Sequence, residues 1–346
     1  MKESCELSPQ ILSAELNWPA CGAANGGKNV NSSQGLDSST PAAARANRRG
    51  GAARLFCFGL GYSARRVIAR AGGVEASGAT LTAEAASAWR REGVAAFAFE
   101  DAHDQEALLA ALSRAEILLV SAPPDEAGDP ALARWAKRIA AAPDLGRILY
   151  LSSVGVYGDR GGAWVDESAS PLPSSPRARA RLNAEEQWRA LGRARGVPVD
   201  ILRLAGIYGP GRNALVNLRA GAARRVVKPG QVFNRIHVDD LAEVARRLME
   251  GGGPGGIWNV ADQEPAPPQD VVAFAADLLG AAPPPEEAFE AAELSPMAAS
   301  FYRDNRRVSV EKLRRRLDYR WLYPTYRAGL AALAAAGEGR ESAAGA

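Results

Sequence analysis

The chain has 346 residues, of which 42 are basic and 39 acidic, so its net charge is only +3. This balance requires neither a nucleic-acid partner nor an anionic membrane surface, and no apolar run approaches the roughly 20 residues that span a bilayer. The three cysteines lack the spacing of metal ligands, and Cys57 lies in an apolar run that predicts a buried strand. We therefore expect a cytoplasmic protein in a reducing compartment, with no metal, nucleic-acid partner or membrane partner.

The first 50 residues differ in composition from the rest of the chain. They are rich in Ser, Asn, Gly and Ala and show no sustained hydrophobic period, which predicts a disordered extension at residues 1–50. A transit peptide is the alternative, but Glu3, Glu6 and Glu15 count against it because such peptides contain few acidic residues. We therefore place the start of the folded chain at residue 51.

The segment Arg54–Ala71 predicts a strand, a tight turn and a helix in succession. Its turn has the spacing Gly59-x-Gly61-x-x-Ala64, which lets the backbone approach a pyrophosphate and presents that anion to the N-terminus of a helix. We predict that Gly59, Gly61 and Ala64 bind a dinucleotide. An ordinary turn between a strand and a helix is the alternative.

Strand and helix patterns alternate along the chain from this segment onward. Such alternation predicts parallel strands joined by helical crossovers, and hence an α/β fold with a Rossmann-type doubly wound parallel sheet. The later predicted strands are Val74–Thr80, Val94–Phe99, Ile117–Ser121, Ile148–Ser152 and Val199–Leu204, and the predicted helices are Ala83–Arg91, Gln105–Ser113, Pro130–Ala141 and Arg177–Arg195.

The alternation becomes less regular after about residue 230, where we predict a smaller C-terminal substrate lobe. We place the Rossmann domain at residues 51–230, the lobe with its returning segments at 231–336, and a C-terminal tail at 337–346. Within the lobe, Asp240 and Glu243 have the spacing of a capping box. Residues Tyr326–Ala336 predict the final helix.

Four stretches in order along the chain carry a resemblance to a known family. They are Gly59–Ala64 (GLGYSA), Tyr150–Gly158 (YLSSVGVYG), Leu202–Arg212 (LRLAGIYGPGR) and Arg235–Asp240 (RIHVDD). The chain resembles the extended short-chain dehydrogenase/reductase family and, within it, the NAD-dependent epimerase/dehydratase branch. The resemblance covers about residues 54–335. It implies NAD or NADP on the first half of the sheet, a nucleotide sugar or related small molecule held by the C-terminal lobe, and a homodimer as a candidate assembly.

Ser153 follows the predicted strand that ends at Ser152, at the edge where open α/β sheets bind ligands. In the family, the matching serine orients the reacting hydroxyl or carbonyl of the substrate. The resemblance therefore implies a catalytic role for Ser153. As an alternative, Ser152 and Ser153 bond only to the backbone of their own loop.

The chain departs from the family where the catalytic Tyr-x-x-x-Lys should lie. The matching positions hold Arg177 and Arg181, whose four-residue spacing keeps both on one face of a helix. An arginine does not lose its proton near neutral pH, so Arg177 cannot be a general acid or base, whereas Arg181 can hold a ribose or a phosphate. The proton-transfer group would then be Tyr157 or a bound water. Alternatively, both arginines are solvated members of a basic run.

The choice between NAD and NADP depends on the end of the second strand. About 20 residues past the glycines, where an acidic residue would bind the ribose 2′-hydroxyl, the chain has Thr80, Leu81 and Thr82. Thr80 is a candidate cofactor-binding residue, but neither an acid nor an arginine stands there. Both NAD and NADP therefore remain open.

Two residues of the last motif are candidates for substrate binding. Arg235 is suited to an anionic substrate group, because a guanidinium binds carboxylate and phosphate through two parallel hydrogen bonds. His237 is the second candidate, although a lone histidine more often has a structural role.

Two functions therefore follow from the sequence. The first is an NAD(P)-dependent oxidoreductase or epimerase/dehydratase-like enzyme, which the retained motifs of the substrate lobe favour. The second is an NAD(P)-binding sensor or regulatory module without turnover, which the Arg177 and Arg181 pair favours. We adopt the enzyme as the first hypothesis and the sensor as the alternative.

Overall fold

A computed structural model describes residues 52–339 of the chain. The predicted extension at residues 1–50 and the end of the predicted tail, from residue 340 onward, lie outside the described residues. Among those that are described, no helix is long and apolar enough to cross a membrane, and no cluster of three or more His, Cys, Asp or Glu side chains could hold a metal ion.

The centre of the structure is a parallel sheet of seven strands. Its strands are β1 (Arg54–Phe58), β2 (Glu75–Thr80), β3 (Ala95–Ala98), β4 (Ile117–Val120), β5 (Arg147–Ser153), β7 (Val199–Leu204) and β11 (Gly255–Val260). They lie in the order β11-β7-β5-β4-β1-β2-β3. The direction of winding reverses between β1 and β4, which is where open α/β sheets form their ligand crevice. The predicted doubly wound sheet is therefore confirmed.

Helices cover both faces of this sheet. The crossover helices are α1 (Tyr62–Ala71), α2 (Ala83–Arg91), α3 (Gln105–Ser113), α4 (Pro130–Ala141), α5 (Pro176–Arg195) and α7 (Val238–Glu250). In β1, Leu55 and Cys57 pack towards α1, α2 and α7, whereas Phe56 and Phe58 pack towards α3, α4 and α5. Cys57 is fully buried, as predicted, and this burial raises the pKa of its thiol to about 12.

The remaining strands form three short parallel pairs outside the main sheet, namely β8 (Gly206–Tyr208) with β10 (Arg235–His237), β9 (Arg225–Val227) with β12 (Glu286–Ala288), and β6 (Trp164–Val165) with β13 (Arg307–Val308). The accompanying helices are α6 (Ala214–Arg219), α8 (Pro268–Leu278), α9 (Pro296–Phe301), α10 (Glu311–Leu317) and α11 (Tyr326–Ala335). Of these helices, the sequence predicted α11. The domain boundary near residue 230 stays a prediction.

The capping box predicted from Asp240 and Glu243 is wrong. Helix α7 begins at Val238, and His237 caps it by accepting a hydrogen bond from the amide of Asp239. Asp240 is instead fully buried, where its carboxylate accepts hydrogen bonds from the Tyr319 hydroxyl and from two amides of the loop that follows. The sequence spacing was misleading because the apolar run that enters the core begins two residues before Asp240.

Candidate active site

The turn after β1 has the geometry that its glycines predict. Gly59 has a φ of +92°, and a Cβ there would lie 2.9 Å from both the amide nitrogen of Ala122 and Oγ of Ser121. Ser121 also donates a hydrogen bond of 2.5 Å to the carbonyl of Gly59. A side chain at this position is therefore excluded both by backbone strain and by the close approach of the segment after β4.

Gly61 differs from Gly59, because a Cβ built on it meets no atom within 4 Å. It is the N-cap residue of α1, and no side chain caps the first turn of that helix. The orphan N–H groups of a helix N-terminus favour an anion. Ala64, one turn later, is fully buried against the sheet and lets α1 approach it closely. An open space beside uncapped amides fits the pyrophosphate of a dinucleotide.

The helix that follows the glycines is attached to a distant part of the chain. The hydroxyl of Tyr62 donates a hydrogen bond of 3.1 Å to the carbonyl of Pro210. Nη2 of Arg66 lies 3.2 Å from Oδ2 of Asp239 at the start of α7. The predicted dinucleotide motif and the last two family motifs therefore meet in space, although about 150 residues separate them in sequence.

The end of β2 carries no charged side chain. Thr80 is buried, and its hydroxyl lies within hydrogen-bonding distance of the carbonyls of Thr82 and Phe97. Thr82 uses its own hydroxyl to cap α2 by accepting from the amide of Ala85. Both threonine hydroxyls are therefore engaged by the protein, and nothing at residues 80–82 selects between NAD and NADP by charge.

Ser153 ends β5 at the crevice edge of the sheet and is half-buried. Its Oγ accepts a hydrogen bond of 3.1 Å from the amide of Gly155 and thereby caps the 3₁₀ turn Val154–Tyr157. Within residues 52–339 no acceptor takes the hydrogen of this hydroxyl. The alternative prediction, a bond to the loop backbone, therefore holds for the oxygen, while the hydroxyl hydrogen can still be donated to a substrate.

Tyr157 is fully buried rather than exposed to the crevice. Its hydroxyl donates a hydrogen bond of 2.7 Å to Oδ1 of Asn259, and the guanidinium carbon of Arg203 lies 4.7 Å from the centre of its ring. Burial also raises the pKa of Tyr157 above its usual value. These contacts argue against the catalytic role predicted for this tyrosine, because it cannot reach a substrate and is a poor source of protons.

Arg177 and Arg181 lie in the first turns of α5, which begins with Pro176 and is capped by Ser175. Arg177 is exposed. Arg181 is half-buried, and its Nη1 donates a hydrogen bond of 2.5 Å to the carbonyl of Leu151 in β5. The structure thus brings Arg181 against the strand that ends at Ser153.

A buried ion pair that the sequence analysis missed lies one turn further along the same face of α5. The carboxylate of Glu185 accepts hydrogen bonds of 2.5 Å from the Ser152 hydroxyl and of 2.7 Å from Nη2 of Arg203. The side chains of Glu185 and Arg203 are only 2 % and 3 % exposed. The signal was an arginine inside the otherwise apolar strand at residues 201–204, because a charge in a buried strand requires a partner.

Of the two candidate substrate residues of the last motif, His237 is buried and Arg235 is half-buried. Nη1 of Arg235 donates to the carbonyls of Phe233 (3.0 Å) and Ala266 (3.1 Å), and burial lowers the pKa of its guanidinium. His237 is buried, and burial lowers its pKa to about 4, so its imidazole is neutral at pH 7. Their contacts support structural roles, which for His237 is the alternative that the sequence analysis favoured.

Asp262 lies next to this motif and is the most perturbed carboxyl group of the region. Its side chain is buried, and burial raises its pKa to about 8. Its Oδ1 accepts a hydrogen bond of 3.1 Å from the amide of Glu264, whereas Oδ2 has no partner among the described residues. Burial therefore favours the protonated form of Asp262 near neutral pH, although the Arg235 guanidinium opposes this shift.

We expect Asp262→Asn to make stability less dependent on pH. In the wild type, the folded state keeps a proton that the unfolded state loses near pH 4, so the contribution of Asp262 falls as pH rises from about 4 to 8. The amide cannot ionise. The stability of the variant relative to the wild type should therefore rise by roughly 4 kcal/mol between pH 5 and pH 9.

Urea unfolding at pH 5 and pH 9 measures this difference. Asp277→Asn, on the exposed side of α8, is the control and should change stability by less than about 0.5 kcal/mol at both values. An Asp262→Asn variant whose difference from the wild type is the same at both pH values would show that Asp262 is already ionised in the folded protein.

Comparisons with known proteins agree with this geometry. The sequence pattern of the NAD dependent epimerase/dehydratase family matches residues 80–261. A functionally unknown conserved protein from Silicibacter pomeroyi DSS is 41% identical, with a TM-score of 0.74, and the match covers 82% of this chain and 99% of that one. The UDP-glucose 4-epimerase of Thermus thermophilus, solved in complex with NAD, has the same fold at 19% identity, with a TM-score of 0.61 and coverage of 80% and 96%.

A curated relative matches a shorter segment. Protein YeeZ of Escherichia coli K12 is 34% identical over 141 residues, which are 40% of this chain and 48% of YeeZ. This chain therefore spans about half the length of the curated relatives it matches. Because the family pattern covers more than half of the chain, the chain belongs to the NAD dependent epimerase/dehydratase family.

Proposed function

We propose that this protein binds NAD or NADP at the turn after β1 and uses it as an oxidoreductase of the epimerase/dehydratase type on a small molecule. The observation that carries the proposal is the open space beside Gly61 at the uncapped N-terminus of α1. Gly59 and Ala64 would hold the turn and the helix at the required distance from the sheet. The similarity of fold to a UDP-glucose 4-epimerase supports a nucleotide sugar as the first substrate class to test.

Each residue of the crevice has a role in this proposal that its contacts permit. Bound NAD(P) would supply hydride transfer to or from a carbon of the substrate. Ser153 would donate its free hydroxyl hydrogen to the reacting oxygen and so orient it. Arg181, held at the Leu151 carbonyl, would bind a ribose hydroxyl of the cofactor through one of its other N–H groups, which leaves further N–H groups for a substrate. Water would carry the proton, because Tyr157 is buried and an arginine, as at position 177, does not release its proton near neutral pH.

Calorimetric titration with NAD, NADH, NADP and NADPH tests the first half of the proposal. Binding of at least one form in the micromolar range is expected, and NAD(P)H formation across a panel of nucleotide sugars then tests turnover. If none of the four binds, the proposed function fails.

We expect Arg177→Ala to leave the shape of the pH profile of turnover unchanged, because a guanidinium has no proton to exchange in this range. Any loss should appear in KM. The paired substitution Arg177→Tyr and Arg181→Lys should raise kcat by about 10²-fold or more, the usual contribution of a positioned general acid. Steady-state rates from pH 5 to 10 measure both effects. A pH profile that loses one limb in Arg177→Ala would assign this arginine a direct role in proton transfer.

A sensor or regulatory module without turnover is the second candidate function. The contacts of Tyr62 with Pro210 and of Arg66 with Asp239 favour it, because they link the helix beside the cofactor turn to α7. NAD(P) binding without turnover on any substrate, together with a change in protease sensitivity around residues 209–212, would support this candidate over the enzyme.

We also propose a homodimer located in the cytoplasm. The nearly balanced charge and the lack of metal-ligand spacing among the cysteines support the location. Sedimentation of the full chain measures the assembly.

A further inference from the structure

The N-terminal end of α5 lies level with the carboxyl end of β5, where the proposed function places the reacting group of the substrate. A crossover helix runs antiparallel to the strands it joins. Arg177 therefore lies about 6 Å closer to the crevice than Arg181 along the helix axis. Along β5, Ser153 lies about 7 Å closer to the crevice than Leu151. Since Arg181 contacts Leu151 directly, Arg177 and Ser153 lie at about the same height beyond that contact, towards the crevice.

The positive charges at this end of α5 have no carboxylate partner in the part of the chain that is described. Arg177 is exposed and makes no ion pair there, and Arg181 donates to the carbonyl of Leu151 and lies over the ring of Tyr150. Two acidic side chains packed around α5 are engaged elsewhere: Glu185 holds Arg203 and Ser152, and Asp129 accepts from the indole of Trp188 and from the first turn of α4. Neither forms an ion pair with Arg177 or Arg181 among the described residues, although the charge of Arg181 partly offsets the rise that burial causes in the pKa of Asp129.

Arg177, Arg181 and Ser153 offer hydrogen-bond donors to a ligand but no carboxylate that would accept a hydrogen bond from it. Two guanidinium groups four residues apart and the Ser153 hydroxyl all offer N–H or O–H donors to the same small region. Guanidinium groups bind carboxylate and phosphate with short, charge-assisted and frequently bidentate hydrogen bonds. A neutral hydroxyl or carbonyl of a sugar would leave both positive charges without a counter-charge.

We propose that Arg177, Arg181 and Ser153 bind an anionic group, a carboxylate or a phosphate, at the reacting end of the substrate. This proposal rests on the proposed function only in calling the ligand a substrate; the anion site itself is defined by the three side chains. The anion is separate from any pyrophosphate bound beside Gly61, which lies after β1 rather than after β5.

Calorimetric titration of the full chain with inorganic phosphate and with malonate tests the proposal. Ionic strength is kept constant with chloride, and any NAD(P) form that binds is present at saturation so that the pyrophosphate site is filled. At least one anion should bind saturably. Arg177→Gln and Arg181→Gln should each weaken that binding about tenfold, which is the loss of one charge-assisted hydrogen bond.

Arg179→Gln is the matched control, because Arg179 is an exposed arginine on the same helix that points away from the shared face of Arg177 and Arg181. It should retain wild-type affinity within about twofold. Binding of phosphate alone identifies a phosphorylated substrate, and binding of malonate alone identifies a carboxylate. The absence of saturable binding, or equal affinity in wild type and Arg177→Gln, overturns the proposal. If no NAD(P) form binds, the proposed function fails while the same titration still decides the anion site.

Discussion

Substituting Gly61 with valine is expected to lower the affinity for NAD(P) about a hundredfold while leaving the melting temperature unchanged. No atom lies within 4 Å of a Cβ at this position, and its φ of −97° is one that valine adopts readily. The fold therefore tolerates the side chain. The bound pyrophosphate would not, because the isopropyl group would occupy the space beside the amides of α1, a clash of roughly 3 kcal/mol.

Gly253→Val provides the matched control for this substitution. Gly253 also has open space around a built Cβ and no positive φ, but it lies after α7 and far from the crevice edge. Calorimetry and thermal unfolding of both variants separate binding from folding. Unchanged NAD(P) affinity in Gly61→Val would place the pyrophosphate elsewhere. Gly59→Ala, by contrast, should reduce stability itself, because its Cβ would lie 2.9 Å from the Ala122 amide.

Substituting Glu185 with alanine is expected to cost about 3–5 kcal/mol of unfolding free energy, which is the usual effect of removing one partner of a buried ion pair. The change leaves the guanidinium of Arg203 buried without a counter-charge and removes the acceptor of the Ser152 hydroxyl. The penalty comes from the desolvated charge that remains rather than from the lost contact alone.

A paired substitution distinguishes this explanation from simple loss of packing. The double variant Glu185→Leu with Arg203→Met removes both charges and should recover at least about half of the loss. Glu186→Ala, at the exposed neighbouring position, should stay within about 0.5 kcal/mol of the wild type. Urea unfolding of the four proteins provides the comparison. A double variant as unstable as Glu185→Ala would show that the shape of the site, not the unpaired charge, determines the cost.

The regular part of the fold was predictable because each element repeats a local pattern. Residues 54–204 alternate apolar runs of strand length with helical spacings, and the observed β1 to β5, β7 and α1 to α5 agree with the predicted segments within about two residues at each end. The short paired strands β8, β9 and β12 were not predicted. They have three residues each, too few for a period to emerge, and they form only where a partner strand supplies hydrogen bonds.

The candidate site was likewise predictable from the sequence only in part. The glycine turn was recognisable because a pyrophosphate requires small residues at fixed spacing, and the loss of the tyrosine and lysine was visible position by position. The burial of individual side chains could not be predicted from the sequence. Tyr157 follows Ser153 closely in sequence, yet the 3₁₀ turn between them rotates its ring into the core and towards Asn259, which is about 100 residues away.

The α/β class, the family and the absence of a general acid or base at position 177 could all be read from the residues alone, since each depends on residue type or local spacing. Which polar groups remain free for a ligand became visible only in the packed chain. Arg203 is held by Glu185, Arg235 donates to two backbone carbonyls through Nη1, and His237 accepts from the amide of Asp239, whereas the Ser153 hydroxyl hydrogen has no acceptor among the described residues. The physical reason is that a buried polar group must find its partner wherever the packed chain provides one, and sequence distance does not limit that choice.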